Sequence, residues 1–278
     1  MSPAASARET VRAVARRLAE AGVPDAEVDA ELLVGHVLGA TRSALRADPE
    51  RALSAGQQAR LEPLVARRER REPLAYVLGE WGFRRLTLAV DARALVPRPE
   101  TEVVVERCLV LLAGAEEPRV LDVGTGSGAI ALALADEHAG ARVTGLDSSP
   151  DALALAAENV ARTGLEVELL RRDLFAGLPA GPWDLVVSNP PYVTAEELAL
   201  LEPEVREWEP RGALVGEGAT EAVARAALDV LRPGGALVLE VAEGTALAVA
   251  ELLGVLGYAE VRITADLAGR DRVVEGRR

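Results

Sequence analysis

The chain contains no lysine: all 31 of its basic residues are arginine. With alanine also very abundant, this reads as a compositional bias and carries no mechanism. Cysteine is nearly absent too. Cys108 stands alone, which excludes an intramolecular disulfide and any cysteine-based zinc site, agrees with a reducing compartment, and leaves Cys108 as a small buried apolar residue. No segment approaches the roughly 20 uninterrupted apolar residues of a membrane span, and the polar, alanine-rich start has no signal-peptide stretch. A cytoplasmic protein without a membrane partner is expected. Positive charge is in deficit, with 44 acids giving a net charge of −13, which opposes long-range attraction to a nucleic-acid backbone. The only dense basic cluster, Arg67, Arg68, Arg70 and Arg71, reads as a solvated helix end. The two histidines, His36 and His138, read as a helix-face and a surface residue, and nothing suggests a metal.

What is present is ample apolar material, 49% of 278 residues, enough for one large domain or two unequal ones. From Glu9 to about Arg71 the pattern is helical: Val11, Val14 and Leu18, then Val28, Leu32 and Leu33, then Leu61, Leu64 and Val65. Ser54 with Gln57 predicts a capping box for the last helix. Around Pro73 the period changes to two, with Leu86, Leu88 and Val90 alternating against Thr87 and Ala89, which suggests a β-hairpin ending at Pro97-Arg98-Pro99-Glu100-Thr101. Val104, Cys108 and Leu111 mark another helix. From Arg119 onward, strands at 119–123, 142–146, 166–170, 184–188, 236–241 and 261–263 alternate with helices, predicting a mostly parallel sheet covered on both faces. Ser149-Pro150 and Thr194 with Glu197 cap two of those helices.

The run Val120 to Ala129 leads from a strand directly into a helix through Gly124-Thr125-Gly126-Ser127-Gly128. Glycines permit a tight turn and close approach to a ligand, and free N–H groups at the helix start favour a carboxylate or phosphate. The loop alone is also compatible with a dinucleotide fingerprint. Asp147 follows at the end of the second strand, placed to accept from ribose hydroxyls or to cap the next helix. Asp173 follows the third strand, where an acceptor can take the exocyclic amine of adenine.

Asn189-Pro190-Pro191-Tyr192 ends the fourth strand at the mouth of the same crevice and points to methyl transfer rather than hydride transfer. Pro190 holds Asn189 extended and Pro191 does the same to Pro190. The Asn189 side chain and the Pro190 carbonyl can then accept from one NH₂, leaving its nitrogen lone pair aimed at an electrophilic methyl. Tyr192 supplies a flat wall. The catalytic assignment falls on Asn189, Pro190 and Tyr192, and substrate binding on those three with Pro191. A glutamine amide and the amino group of adenine both satisfy this chemistry.

The pattern resembles the release factor glutamine methyltransferases. The resemblance spans nearly the whole chain, through Pro73-Leu74-Ala75-Tyr76, Val96 to Glu102, Leu121 to Gly128, the tetrapeptide, Glu209-Pro210-Arg211-Gly212-Ala213-Leu214 and Asp271 to Arg277. It implies a class I S-adenosylmethionine-dependent methyltransferase of α/β, Rossmann-like fold, with a seven-stranded sheet whose last strand is antiparallel. It further implies a helical substrate-docking domain over 1–72, a hairpin linker over 73–98 and the methyltransferase domain over 99–278. S-adenosyl-L-methionine, leaving as S-adenosyl-L-homocysteine, is implied at Gly124, Thr125, Gly126 and Gly128, with Asp147 on the ribose, Asp173 near the adenine, Asn189 adjoining, and Arg98, Glu100 and Thr101 covering it. The implied substrate is the glutamine of the Gly-Gly-Gln motif in class I peptide chain release factors, with no direct nucleic-acid substrate. Rival readings are an adenine-N6 methyltransferase, disfavoured by the charge and the lack of a basic insert, an inactive cofactor-binding protein, and a dehydrogenase, for which no acid–base motif is visible.

Overall fold

A computed structural model describes residues 5–278. The first four residues of the expected helical domain lie outside the described residues. The chain forms two compact units, one ending at Gly79 and including a return segment, Glu202–Trp208, the other made of Glu80–Leu201 and Glu209–Arg278.

The first unit is helical: α1 (Ala7–Glu20), α2 (Ala26–Leu38), α3 (Arg42–Ala47), α4 (Ala55–Glu69) and α5 (Leu74–Leu78). Capping boxes begin α1, at Ser6 and Glu9, and α4, at Ser54 and Gln57 as the sequence predicts. They satisfy N–H groups that the first turn leaves without an intrahelical partner. Val14 and Leu18 of α1, Leu33 and Val34 of α2, and Leu61 and Val65 of α4 are buried. α2 is buried along most of its length and packs on both α1 and α4.

The arginine cluster is not a solvated helix end. Arg68 is 5% exposed, with Nε 2.7 Å from Asp29 Oδ2 and Nη1 2.8 Å from Glu204 Oε1. Arg71 donates to Glu204 and Glu202, and Arg67 to Glu72 and to the Val77 and Tyr76 carbonyls. Only Arg70 is exposed. The guanidiniums turn inward because buried carboxylates await them, and an ion is tolerated inside only when paired.

The second unit opens on an antiparallel hairpin, β1 (Glu80–Phe83) and β2 (Leu86–Ala89), and continues with α6 (Thr101–Leu111). β3 (Arg119–Val123), α7 (Ala129–Glu137), β4 (Arg142–Asp147), α8 (Pro150–Thr163), β5 (Val167–Arg171) and β6 (Trp183–Ser188) then alternate. After β6 come three one-turn helices, α9 (Ala195–Leu198), α10 (Pro203–Arg206) and α11 (Arg211–Leu214), of which α10 lies in the return segment. α12 (Ala219–Val230), β7 (Leu231–Glu240), α13 (Ala246–Leu256), β8 (Ala259–Ala265) and β9 (Asp271–Arg277) complete the unit. The seven-stranded sheet has the order β5-β4-β3-β6-β7-β9-β8. β3 through β7 pair in parallel, and the last strand, β9, runs antiparallel to both β7 and β8.

Strand alternation explains the two covered faces. Leu185 and Val187 pack with Val104, Cys108 and Ile130 on one side, whereas Val186 packs with Val223, Ala224 and Leu253 on the other. Each fully buried Leu or Val among them contributes roughly 1.5–3 kcal/mol. Burial raises the Cys108 thiol well above its ordinary pKa. His138 is half-buried rather than a surface residue, its Nε2 3.3 Å from the Leu112 carbonyl, because the helix end that carries it packs back on the chain after α6. No helix among the described residues is long and apolar enough to cross a membrane.

Candidate active site

The strand order reverses at β3: the chain runs outward through β4 and β5, then returns to place β6 on the other side of β3. In such sheets a crevice opens outside the carboxyl ends at this switch point. The registers Val123↔Leu146 and Val123↔Ser188 bring Asp147, Gly124 and Asn189 side by side along that edge. Ser188↔Leu239 sets Glu240 next to Asn189 on the far side.

Gly124, Gly126 and Gly128 have φ of 77°, 57° and 83°, a region that favours glycine. The Gly124 and Thr125 N–H groups donate to the Leu146 carbonyl at 2.8 and 2.9 Å, which pins the loop to β4. A β-carbon at Gly145 would stand 2.8 Å from Thr125 Oγ1, so the loop's approach requires glycine there as well. Thr125 Oγ1 donates to Asp122 Oδ2 at 2.6 Å. Asp147 accepts from the Gly126 N–H through Oδ2 and from the Ser149 N–H through Oδ1, both at 2.9 Å. It therefore shapes the glycine loop and opens α8 at once. Asn159 of α8, fully buried, donates to the Ser127 and Ala89 carbonyls and accepts from the Ala89 N–H, clamping hairpin and loop together.

The tetrapeptide is braced from two sides. Ser188 Oγ donates to the Val123 carbonyl at 2.7 Å, which ties the end of β6 to β3. The Val193 N–H donates to the Leu214 carbonyl at 3.0 Å, and Val193 bridges Val215. A β-carbon at Gly216 would sit 2.4 Å from Pro191 Cγ, so only glycine lets this loop back the prolines. The Asn189 carbonyl lies 4.0 Å from where a Gly124 β-carbon would stand. Tyr192 is 36% exposed, and burial, then the charge of Glu240, raises its hydroxyl pKa.

The Pro97 to Thr101 run is anchored by three acids or bases from elsewhere in the unit. Arg98 pairs with Glu209, Glu100 with Arg270 at 2.9 Å, and Thr101 Oγ1 donates to Glu240 Oε2 at 2.7 Å. Asp173 is exposed and caps the turn Leu174–Ala176 through the Phe175 N–H. An open cleft of about 470 Å³, lined by Asp91, Ala92, Arg93, Ser149, Asp151 and Pro210, flanks the Asp147 side. Of the residues singled out from the sequence, Gly124, Asp147 and Asn189 share the central edge and Asp173 lies beyond β5. Thr101 and Thr125 turn their hydroxyls inward onto Glu240 and Asp122.

Sequence reasoning missed those two acids. Desolvation pushes Asp122 up to about 7 and Glu240 up to about 7, since each is buried with a hydroxyl rather than a guanidinium as its hydrogen-bond partner. It also gave no role to Glu209, raised by burial with Oε2 unpartnered, or to Asn159. The available signal was a carboxylate inside an otherwise apolar strand, in Val-Leu-Asp-Val and Leu-Val-Leu-Glu.

A doubly covered parallel sheet with a glycine loop at its switch point and a rigid Asn-Pro-Pro-Tyr on the next strand defines a class I methyltransferase. Residues 9–79 match the family model described as the PrmC N-terminal domain, and residues 103–206 match the methyltransferase small domain. The chain is 45% identical to the release factor glutamine methyltransferase of Deinococcus radiodurans, covering 98% of each chain. It is 42% identical to that of Caulobacter vibrioides, covering 94% of this chain and 92% of that one. A methyltransferase structure from Pyrococcus furiosus shares the fold, with a TM-score of 0.51 at 20% identity over 81% of this chain and 98% of that one. The protein belongs to the release factor glutamine methyltransferase family.

Proposed function

We propose that the enzyme transfers a methyl group from S-adenosyl-L-methionine to the side-chain amide nitrogen, N5, of the glutamine in the Gly-Gly-Gln motif of class I peptide chain release factors, supporting translation termination. The observation that carries this reading is the register that sets Gly124 and Asn189 at the ends of adjacent parallel strands, so that a cofactor loop and an amide clamp share one crevice. The donor set fits the cofactor. Gly124, Gly126 and Gly128 present bare backbone, the Thr125 hydroxyl between them turns onto Asp122, and each Asp147 oxygen keeps a lone pair for a ribose hydroxyl beside the N–H it already accepts. Asp173 has a carboxylate oxygen for the adenine amine. The bound cofactor supplies an electrophilic methyl on a sulfonium.

Everything else falls to the chain. The backbone of Gly124, Thr125, Gly126 and Gly128 approaches the cofactor, with Arg98, Glu100 and Thr101 on the run that covers it. Asn189 and the Pro190 carbonyl accept from the glutamine NH₂, which localises the nitrogen lone pair and aligns it, while Pro191 stiffens the turn and Tyr192 packs on the planar amide. The helical unit is the docking element for the release factor.

Intact-mass analysis of a purified release factor after incubation with enzyme and cofactor, with the added methyl mapped, tests the reading. Modification at the motif glutamine is expected, and methyl label appearing on DNA or RNA with the release factor unlabelled would overturn it. Asn189→Ala should lower kcat by about 10²–10³-fold and leave cofactor affinity within about twofold. Full-rate methylation by that variant would refute the clamp.

A further inference from the structure

We propose that Glu240 is a positioning residue of the transfer site, holding the Pro97 to Thr101 run beside the tetrapeptide through its hydrogen bond with Thr101. The proposal rests on the function just given. Glu240 is the last residue of β7, and the register Ser188↔Leu239 makes it the strand-end neighbour of Asn189. It is 2% exposed at the end of a run, Ala236 to Leu239, that is wholly apolar. A buried carboxylate at such a place is costly unless it is used.

Its hydrogen-bond partner identifies the use. Thr101 Oγ1 donates to it at 2.7 Å across 139 residues of sequence. Thr101 is the first residue of α6, and its own N–H closes the preceding turn onto the Arg98 carbonyl at 3.1 Å. Fixing Thr101 therefore fixes where Arg98 and Glu100 stand. The charged and titratable groups facing Glu240 are Arg98 and Glu100 of this run, Arg272 of β9 and Tyr192 of the tetrapeptide. Arg98 and Arg272 act on it only at a distance: Arg98 hydrogen-bonds Glu209 and Arg272 donates to the Val241 carbonyl, so the Thr101 hydroxyl is its side-chain hydrogen-bond donor. Glu240 thus ties the end of β7, the neighbour of the strand that leads into the tetrapeptide, to the Pro97 to Thr101 run.

The test compares Thr101→Val, Glu240→Ala, the double variant and Glu240→Gln in three measurements. These are steady-state kinetics with an intact release factor, calorimetric affinity for S-adenosyl-L-homocysteine, and hydrogen exchange at residues 97–103. Each single loss of the hydrogen bond should lower kcat by about tenfold, with faster exchange at residues 97–103 and, because that run covers the cofactor, a loss of inhibitor affinity smaller than the loss of kcat. The double variant should be no worse than the poorer single one. Glu240→Gln, which keeps an acceptor oxygen, should recover most of the loss. Additive losses, inhibitor affinity falling in step with kcat, or exchange at residues 97–103 unchanged would each overturn the proposal. If Glu240→Ala fails to fold, Thr101→Val alone decides by the same criteria. If the wild-type enzyme methylates no glutamine, the proposed function fails, and unchanged or faster exchange at residues 97–103 still refutes or supports the tether.

Discussion

The helical unit and the carboxyl edge of the sheet treat buried charge in opposite ways. In the helical unit the buried carboxylates Asp29, Glu31 and Glu72 each hold an arginine: Asp29 with Arg68, Glu31 with Arg42 and Arg46, Glu72 with Arg67. At the carboxyl edge of the sheet, the side-chain donors to Asp122 and Glu240 are threonine hydroxyls rather than guanidiniums. The pKa directions follow. Glu31 is drawn down by its two arginines in spite of its burial, whereas desolvation wins at Asp122 and Glu240. Asp29, the deepest of the first set, is still pushed up by burial, so pairing softens desolvation without abolishing it. Where charge ties helices together, it is matched. Where it borders the crevice, it is left able to change protonation near neutrality, as is common around sites that handle ligands.

The strongest way to break this contrast is Arg68→Ala. It would leave Asp29 and one contact of Glu204 buried without their cation, and loss of one partner of a buried pair costs about 3–5 kcal/mol. Chemical denaturation should show that loss in the unfolding of the helical unit. A cost under about 1 kcal/mol would mean that the matched charges do not hold the unit together.

The unmatched edge gives the next effect, and its sign is opposite. A carboxyl whose pKa is higher folded than unfolded favours folding most below its ordinary unfolded value, and that advantage is lost as pH rises through the folded value. For Glu240, raised to about 7, the window runs from about 4.3 to about 7. The wild-type protein should lose on the order of 1–3 kcal/mol across it from this residue alone. Glu240→Gln should be close to wild type in stability at pH 4.5 and more stable at pH 8. A variant less stable than wild type at pH 8 would show that the ionised carboxylate is compensated after all.

How far each side of the contrast was visible in the sequence depends on distance along the chain. The Ser54 and Gln57 cap, the three loop glycines and the alternation of Leu185, Val186 and Val187 are local, and the chemistry of neighbours within a few residues specifies them. Arg68 meets Asp29 across 39 residues and Thr101 meets Glu240 across 139, and no periodicity carries such pairings. That is why the arginine cluster reads as solvated until Asp29 and Glu204 are seen around it, and why Glu240 passes for the end of an apolar strand. Thr101 stands out in the sequence, but its hydroxyl faces inward to an acid that no motif announces.

The smallest effect sharpens the comparison by separating pairing from burial. Arg225 and Glu221 form an ion pair of 2.7 Å one turn apart on α12, with side chains 60% and 49% exposed. Its contacts resemble those of Arg68 with Asp29 in distance, but water screens both partners, and neither is left desolvated when the other is removed. Such pairs contribute about 0.3–0.5 kcal/mol. Arg225→Ala should therefore shift the denaturation midpoint barely beyond error, and raising the salt concentration should erase even that. Were Arg225→Ala to cost as much as Arg68→Ala, geometry rather than burial would govern the ion pairs, and the division between matched charge in the helical unit and under-matched charge at the carboxyl edge of the sheet would lose its physical basis.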